Sequence, residues 1–153
     1  MKQTLLITTA LIITALILVV GCDSSKEELI ESRYDSGQLM IRGYIKDGEY
    51  VGKWTQWYKN GLKWMEYSYK DGKRDGKWIV WHKNGQKRSE AHYSNGTYYG
   101  KYTMWHKNGQ KKSEGNAVGG TKWRNMLVNG KWTLWDENGK KYSEKTYNFE
   151  NMH

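Results

Sequence analysis

Residues 71–94 read Asp-Gly-Lys-Arg-Asp-Gly-Lys-Trp-Ile-Val-Trp-His-Lys-Asn-Gly-Gln-Lys-Arg-Ser-Glu-Ala-His-Tyr-Ser, and the chain on both sides is variation on this unit. Setting aside those that open a Gly-Lys-Trp strand, the glycines that follow Asn, Asp, Ser or Gly are Gly37, Gly48, Gly61, Gly72, Gly85, Gly96, Gly109, Gly120 and Gly139. Their gaps run 11, 13, 11, 13, 11, 13, 11 and 19. This alternation defines a 24-residue unit with two turns, repeated, with one interruption near the end. Pairs such as Asn60-Gly61 and Asp71-Gly72 suit two-residue hairpin turns, whose central residues need positive φ. The intervening segments are 9 to 11 residues long and rich in Trp, Tyr, Thr, Ile and Val, and no proline interrupts them.

If both turn types hold two residues, Trp57 opposes Trp64 and Trp54 opposes Tyr67 across Asn60-Gly61. Met65 opposes Trp78 and Tyr67 opposes Gly76 across Asp71-Gly72. Both turns then place Trp54, Gln56, Met65, Tyr67, Trp78 and Val80 on one face, as strand alternation requires. The expected fold is all-β: antiparallel β-hairpin repeats with a 24-residue period in an elongated single-layer meander. Hydrophobic residues make up 37%, many of them in the first 20 positions, which leaves too little for a thick two-layer core. The 9 Trp and 12 Tyr can stabilise a thin sheet instead.

Residues 1–21 read as a signal peptide. Lys2 supplies a short positive region, Thr4–Val20 is apolar apart from threonines, and Val19-Val20-Gly21-Cys22 closes the segment. That closing stretch resembles the lipobox of bacterial lipoproteins, which implies a diacylglyceryl group on the Cys22 thiol, cleavage before it, and acylation of the new amine. Cys22 is the one cysteine, so it has no disulfide partner within the chain. The competing reading is an uncleaved membrane helix, since Thr4–Gly21 is nearly long enough to span. Residues 22–33 read as a lipidated tether and 34–150 as the repeat domain, held at a membrane of the bacterial cell envelope. Without Lys2 the chain carries 24 basic and 16 acidic residues, a surplus of 8 positive charges.

Tyr34–Lys46 forms a half unit without a Gly-Lys-Trp strand, and full units follow at 47–70, 71–94 and 95–118. Gly109 and Gly139 lie 30 residues apart, so the last unit holds a six-residue insertion within 121–129. The unit Gly-Lys-Trp-Thr-x-Trp-Tyr-x-Asn-Gly-x-x-x-x-Glu-x-x-Tyr, seen with substitutions from Gly52, Gly76, Gly100 and Gly130, resembles the MORN-repeat variant family. Bacterial chains of this kind are commonly labelled YwqK-type antitoxins or MORN-repeat lipoproteins. The resemblance implies one β-hairpin per repeat, stacked into a sheet that serves as a binding or scaffolding surface. Tyr102 stands where the unit has Trp, and Ala117 where it has its last Tyr.

Trp57, Trp81, Trp105 and Trp135 fall on the face opposite Trp54, Trp78, Tyr102 and Trp132. In the two-residue-turn register Trp81 opposes Arg88 and Trp105 opposes Lys112, pairs that either shield the sheet or present an aromatic row to a ligand. Lys87, Arg88, Lys111 and Lys112, with other lysines, flank the Asn-Gly turns and make one rim basic. Such a rim suits an acidic protein, an anionic glycan or lipid headgroups, or serves only to solubilise turns. Nucleic acid does not fit an exported chain. Gly76 and Gly100 read as positions where a neighbouring ring lies flat. The recurring Glu66, Glu90, Glu114 and Glu144 read as structural, with Glu66 opposing Lys77 and Glu90 opposing Lys101.

No phosphate-binding glycine motif and no nucleophile–base set stands apart from its repeat equivalents, so no catalytic residue and no cofactor is expected. His82 and His106 occupy equivalent positions ~9–10 Å apart at the usual strand spacing. They could not share a metal whose ligands sit ~2 Å away. The sequence therefore points to a non-catalytic protein-binding or scaffolding module, antitoxin-like if the resemblance extends to function. A carbohydrate or cell-envelope polymer held on Trp and Tyr rows is the alternative.

Overall fold

A computed structural model describes residues 26–120 and 127–148. Ten strands follow one another: β1 (Glu28–Arg33), β2 (Leu39–Lys46), β3 (Glu49–Trp57), β4 (Lys63–Lys70), β5 (Lys73–Trp81), β6 (Lys87–Ser94), β7 (Thr97–Trp105), β8 (Lys111–Val118), β9 (Leu127–Trp135) and β10 (Lys141–Tyr147). They form one sheet in sequence order, each antiparallel to the next, with no crossover. The expected all-β meander is what the chain forms. Within the insertion, 127–129 open β9, while 121–126 lie outside the described residues. So do the signal segment with Cys22 and residues 149–150. The sheet also begins earlier than position 34, because residues 28–33, read above as tether, pair with β2 as an additional strand. Arg33 and Glu31 of β1 stand 24 residues before Trp57 and Thr55, so β1 is a degenerate copy of the Gly-Lys-Trp strand.

The two turn types differ in geometry. At the Asp-Gly and Asn95-Gly96 turns both central residues have positive φ, 49° and 69° at Asp71 and Gly72 for instance, as a two-residue type I′ turn demands. At the Asn60-Gly61 type only the glycine does, at +80° for Gly61. There Gly61 N donates to Tyr58 O (2.9 Å) and Tyr58 N to Leu62 O (2.8 Å). That is a three-residue loop closed by a glycine bulge. The bulge moves the pairing by one at the strand end: Trp57 pairs with Lys63, not Trp64, while Gln56↔Met65 and Trp54↔Tyr67 stand as expected.

A second bulge follows each type I′ turn. Tyr69 pairs with Arg74, but Tyr67 pairs with Trp78 and Met65 with Val80, two residues beyond the simple register. A shift of two preserves the face of every side chain, which is why the sequence pattern survived it. Gly76 absorbs this bulge at φ +86°, and a Cβ there would meet nothing within 4 Å. Gly76 and its equivalent Gly100 (φ +76°) are thus held by backbone conformation, not by a ring lying on them.

Rings do lie on other glycines. A Cβ at Gly43 would run into the Trp54 ring, and one at Gly115 into the Trp132 ring. Positions 43, 67, 91 and 115, spaced 24 apart, carry Gly, Tyr, Ala and Gly. Small residues alternate with indoles and phenols across the strands, so the rings interdigitate within one layer. The best-covered patch comprises Ala91, Tyr93, Tyr98, Tyr102 and Ala117, with Trp78, Met104 and Trp132 packed against it. Tyr93 and Tyr98 are 4.4 Å apart between ring centres, and Trp78 meets both nearly edge-on. This aromatic face is the nearest the sheet has to a core.

These two glycine classes respond differently to substitution. Gly115→Ala is expected to lose about 1–3 kcal/mol by overpacking against Trp132, and Gly115→Asn at least as much. Gly76→Ala is expected to lose about 1–2 kcal/mol through backbone strain, and Gly76→Asn less, since Asn tolerates that conformation. Urea unfolding of the four variants checks the pattern.

Candidate binding surface

Each hairpin reaches for the next along the Asn-Gly rim. The hydroxyl of Tyr34 donates to Trp57 O (2.7 Å) and that of Tyr58 to Trp81 O (2.7 Å). At the equivalent positions His82 Nε2 meets Trp105 O (3.1 Å) and His106 Nε2 meets Trp135 O (2.9 Å). A carbonyl only accepts, so these histidines carry their proton on Nε2. The amides of Asn60, Asn84 and Asn108 donate to the carbonyls of Lys83, Lys107 and Glu137 in the following turns. Both histidines are therefore struts between repeats. At the last of these positions stands Asp136, which accepts from Asn138 N and Lys140 N of its own turn.

The face opposite the aromatic patch carries the predicted tryptophans, and the bulged register gives them other partners than expected. Trp81 pairs with Lys87, not Arg88, and Trp105 with Lys111, not Lys112. The lysine that stacks on each indole comes from the preceding hairpin. Nζ of Lys63 lies over Trp81 (5.6 Å to the ring centre), that of Lys87 over Trp105 (5.5 Å) and that of Lys111 over Trp135 (5.2 Å). From β3 to β10 the order is Trp57, Lys63, Trp81, Lys87, Trp105, Lys111, Trp135, Lys141, an unbroken alternation of indole and cation. Arg88 and Lys112 are exposed residues beside the bulge and lie outside this ladder. Lys63 and Lys141, two of the other lysines flanking the Asn-Gly turns, belong in it. The 18-residue spacing of Lys63–Trp81 and Lys87–Trp105 was the available signal.

Three segments match the MORN repeat variant family: residues 74–95, 98–117 and 128–148. No curated protein matches the chain. The three matched segments coincide with β5–β6, β7–β8 and β9–β10, one hairpin each. Residues 28–70 continue the same meander ahead of the first matched repeat.

Each matched segment also holds one glutamate between two lysines. Glu90 takes Lys87 (2.7 Å) and Lys77 (3.5 Å), Glu114 takes Lys111 and Lys101 (2.9 Å each), and Glu144 takes Lys131 (2.8 Å) and Lys141 (3.1 Å). Glu66, ahead of the matched repeats, takes Lys63 (2.8 Å) and Lys53 (3.0 Å). The cross-strand lysine is on the preceding strand, so Glu66 meets Lys53 where Lys77 was expected, and Glu90 meets Lys77 where Lys101 was expected. The same lysine that stacks on an indole thus also binds a carboxylate, which pins it. At Glu90 the hydrogen bond from Lys87 is the strongest influence and holds the carboxyl below its usual range. At Glu66 and Glu114 partial burial pulls upward, but the paired lysines outweigh it. Each triad keeps one net positive charge, and the four recur two strands apart, ~9–10 Å.

Lowered carboxyl pKa values in the folded state mean stabilisation that is full above the unfolded value of about 4.3 and fades as pH falls through the lower folded value. Urea stability is expected to decline across that window. The Glu66→Gln, Glu90→Gln, Glu114→Gln variant should be less stable at pH 7 and show a flatter acid decline. A steeper decline than wild type would show these carboxylates to be destabilising.

Proposed function

We propose that the chain is a lipid-anchored, non-catalytic repeat module that binds an acidic protein surface through its tryptophan–lysine ladder. The observation that carries this reading is the ladder itself: Lys63, Lys87 and Lys111, in three successive hairpins, are each fixed by an indole beneath and a carboxylate beside. Lysines already held in place lose less side-chain entropy when a partner arrives. Regularly spaced contacts on one rigid sheet add through effective concentration. The glycan alternative is less well supported, because ammonium groups occupy indole faces on which sugar rings would stack. An antitoxin-type role, in which the surface covers a toxic protein, is the form of this function that the YwqK-type resemblance implies.

Anchoring at Cys22 would set the geometry. Five residues separate Cys22 from the first strand at Glu28, a reach of at most ~18 Å. That is half the tether read from sequence, so the sheet would lie against the membrane surface.

Two experiments test this reading. Cys22→Ser is expected to abolish labelling by radioactive palmitate and leave an uncleaved precursor; continued labelling refutes the anchor. Lys87→Glu with Lys111→Glu is expected to reduce capture of partner protein from detergent-solubilised envelope at least tenfold and to weaken its salt dependence. Retention on purified peptidoglycan with unchanged protein capture would favour the glycan reading.

A further inference from the structure

The aromatic face holds one residue that the repeat does not explain. Arg74 sits where the equivalent positions 24 residues away carry Tyr50 and Tyr98, and where β9 carries Val128. It pairs with Tyr69 across β4 and β5. Its guanidinium lies over the rings of Tyr67 (5.8 Å) and Tyr93 (5.5 Å), and Nη1 donates to the Tyr93 hydroxyl (3.4 Å). Burial works against its charge, but the hydroxyls of Tyr69 and Tyr93 support it. Every other arginine or lysine discussed above for the ladder face has a carboxylate. Among the described residues Arg74 has none, although Arg42 and Arg33 both engage Glu31.

The groups around Arg74 are neutral. Its row near the type I′ turns runs Ile45, Tyr50, Tyr69, Arg74, Tyr93, Tyr98, Ala117, Val128, with one charged member. Among the surrounding hydroxyls, Tyr67 accepts from Gln56 Nε2 (2.7 Å) and Tyr93 accepts from Arg74. The nearby acid Asp75 lies on the next position of β5 and receives Asn95 N (3.2 Å). Tyr50, the next ring in the row beyond Tyr69, is 47% exposed, so the row is open to a visitor at that side.

We propose that Arg74 is a binding site for a single carboxylate, an aspartate or glutamate side chain of a protein partner, seated between the tyrosine rings on the face opposite the ladder. A planar guanidinium matches a carboxylate through two parallel hydrogen bonds, and in a partly buried setting that pairing is stronger than at an open surface. The rings on either side suit aromatic or apolar neighbours of the acid. This site lies beyond the ladder and does not depend on it.

The test uses the full chain in detergent micelles, with the Arg74 side-chain Nε–H resonance followed by NMR during titration of acetyl-Tyr-Glu-Tyr-amide. Saturable movement of that resonance is expected, with Arg42, already paired to Glu31, unmoved. Acetyl-Tyr-Gln-Tyr-amide should bind at least tenfold more weakly. Arg74→Tyr installs the residue that the neighbouring repeats carry, so it should keep the fold while losing the same tenfold or more, read from the Tyr50 ring signals. Lys87→Glu with Lys111→Glu should leave this binding unchanged, which separates it from the ladder. Equal binding of the Gln peptide, retained binding in Arg74→Tyr, no saturable shift, or preferential binding of trigalacturonate would each overturn the proposal.

Discussion

What holds this sheet together is the contact between one hairpin and the next. A hairpin such as β5–β6, residues 73–94, buries little by itself in a single layer, and isolated two-stranded hairpins are marginal in water. Here the links between neighbours repeat on every level. A Tyr or His at the turn caps the next tryptophan carbonyl, an Asn amide reaches the next turn, and a lysine lies on the next indole. Each link is modest: a hydrogen bond contributes about 0.5–1.5 kcal/mol net and an exposed cation over an aromatic ring about 0.5–1 kcal/mol. Their recurrence makes stability a sum over neighbour interfaces, as in other repeat arrays.

The same dependence explains the two ends. At β1 the tryptophan position holds Arg33 and the threonine position holds Glu31, which pairs with Arg42. At the final Asn-Gly turn Asp136 replaces the Tyr or His donor and folds back on its own turn. Terminal units of a repeat array have no neighbour on one side, so residues that would reach outward are replaced by ones satisfied locally.

Using both faces follows from having a single layer. The aromatic face packs phenols and indoles over small residues, while the ladder face is amphipathic, with lysine stems and indoles below and ammonium groups above. In the proposed reading, binding is grafted onto surfaces that also carry the fold. The ladder does this by repetition. Arg74 does it by exception, as one charged residue in a row otherwise neutral.

The 24-residue alternation of turns by itself determined the fold class, the antiparallel strand order and which tryptophans share a face. Those features depend on local chain geometry: positive-φ glycines, strand periodicity and turn spacing. Even the two-residue shift at Gly76 left the faces intact, because side-chain direction has period two. Partner identity was not legible. Two turn types that look alike in sequence differ by one residue in loop length, and bulges move the register near every turn. Trp81 was therefore matched to Arg88 instead of Lys87 and Lys63, and Glu90 to Lys101 instead of Lys77. The strand nature of 28–33 was hidden because its side chains depart from the unit, and only pairing with β2 places it in the sheet. Arg74 was visible as a letter but not as a site, since its lack of a carboxylate depends on which side chains the folded sheet brings around it.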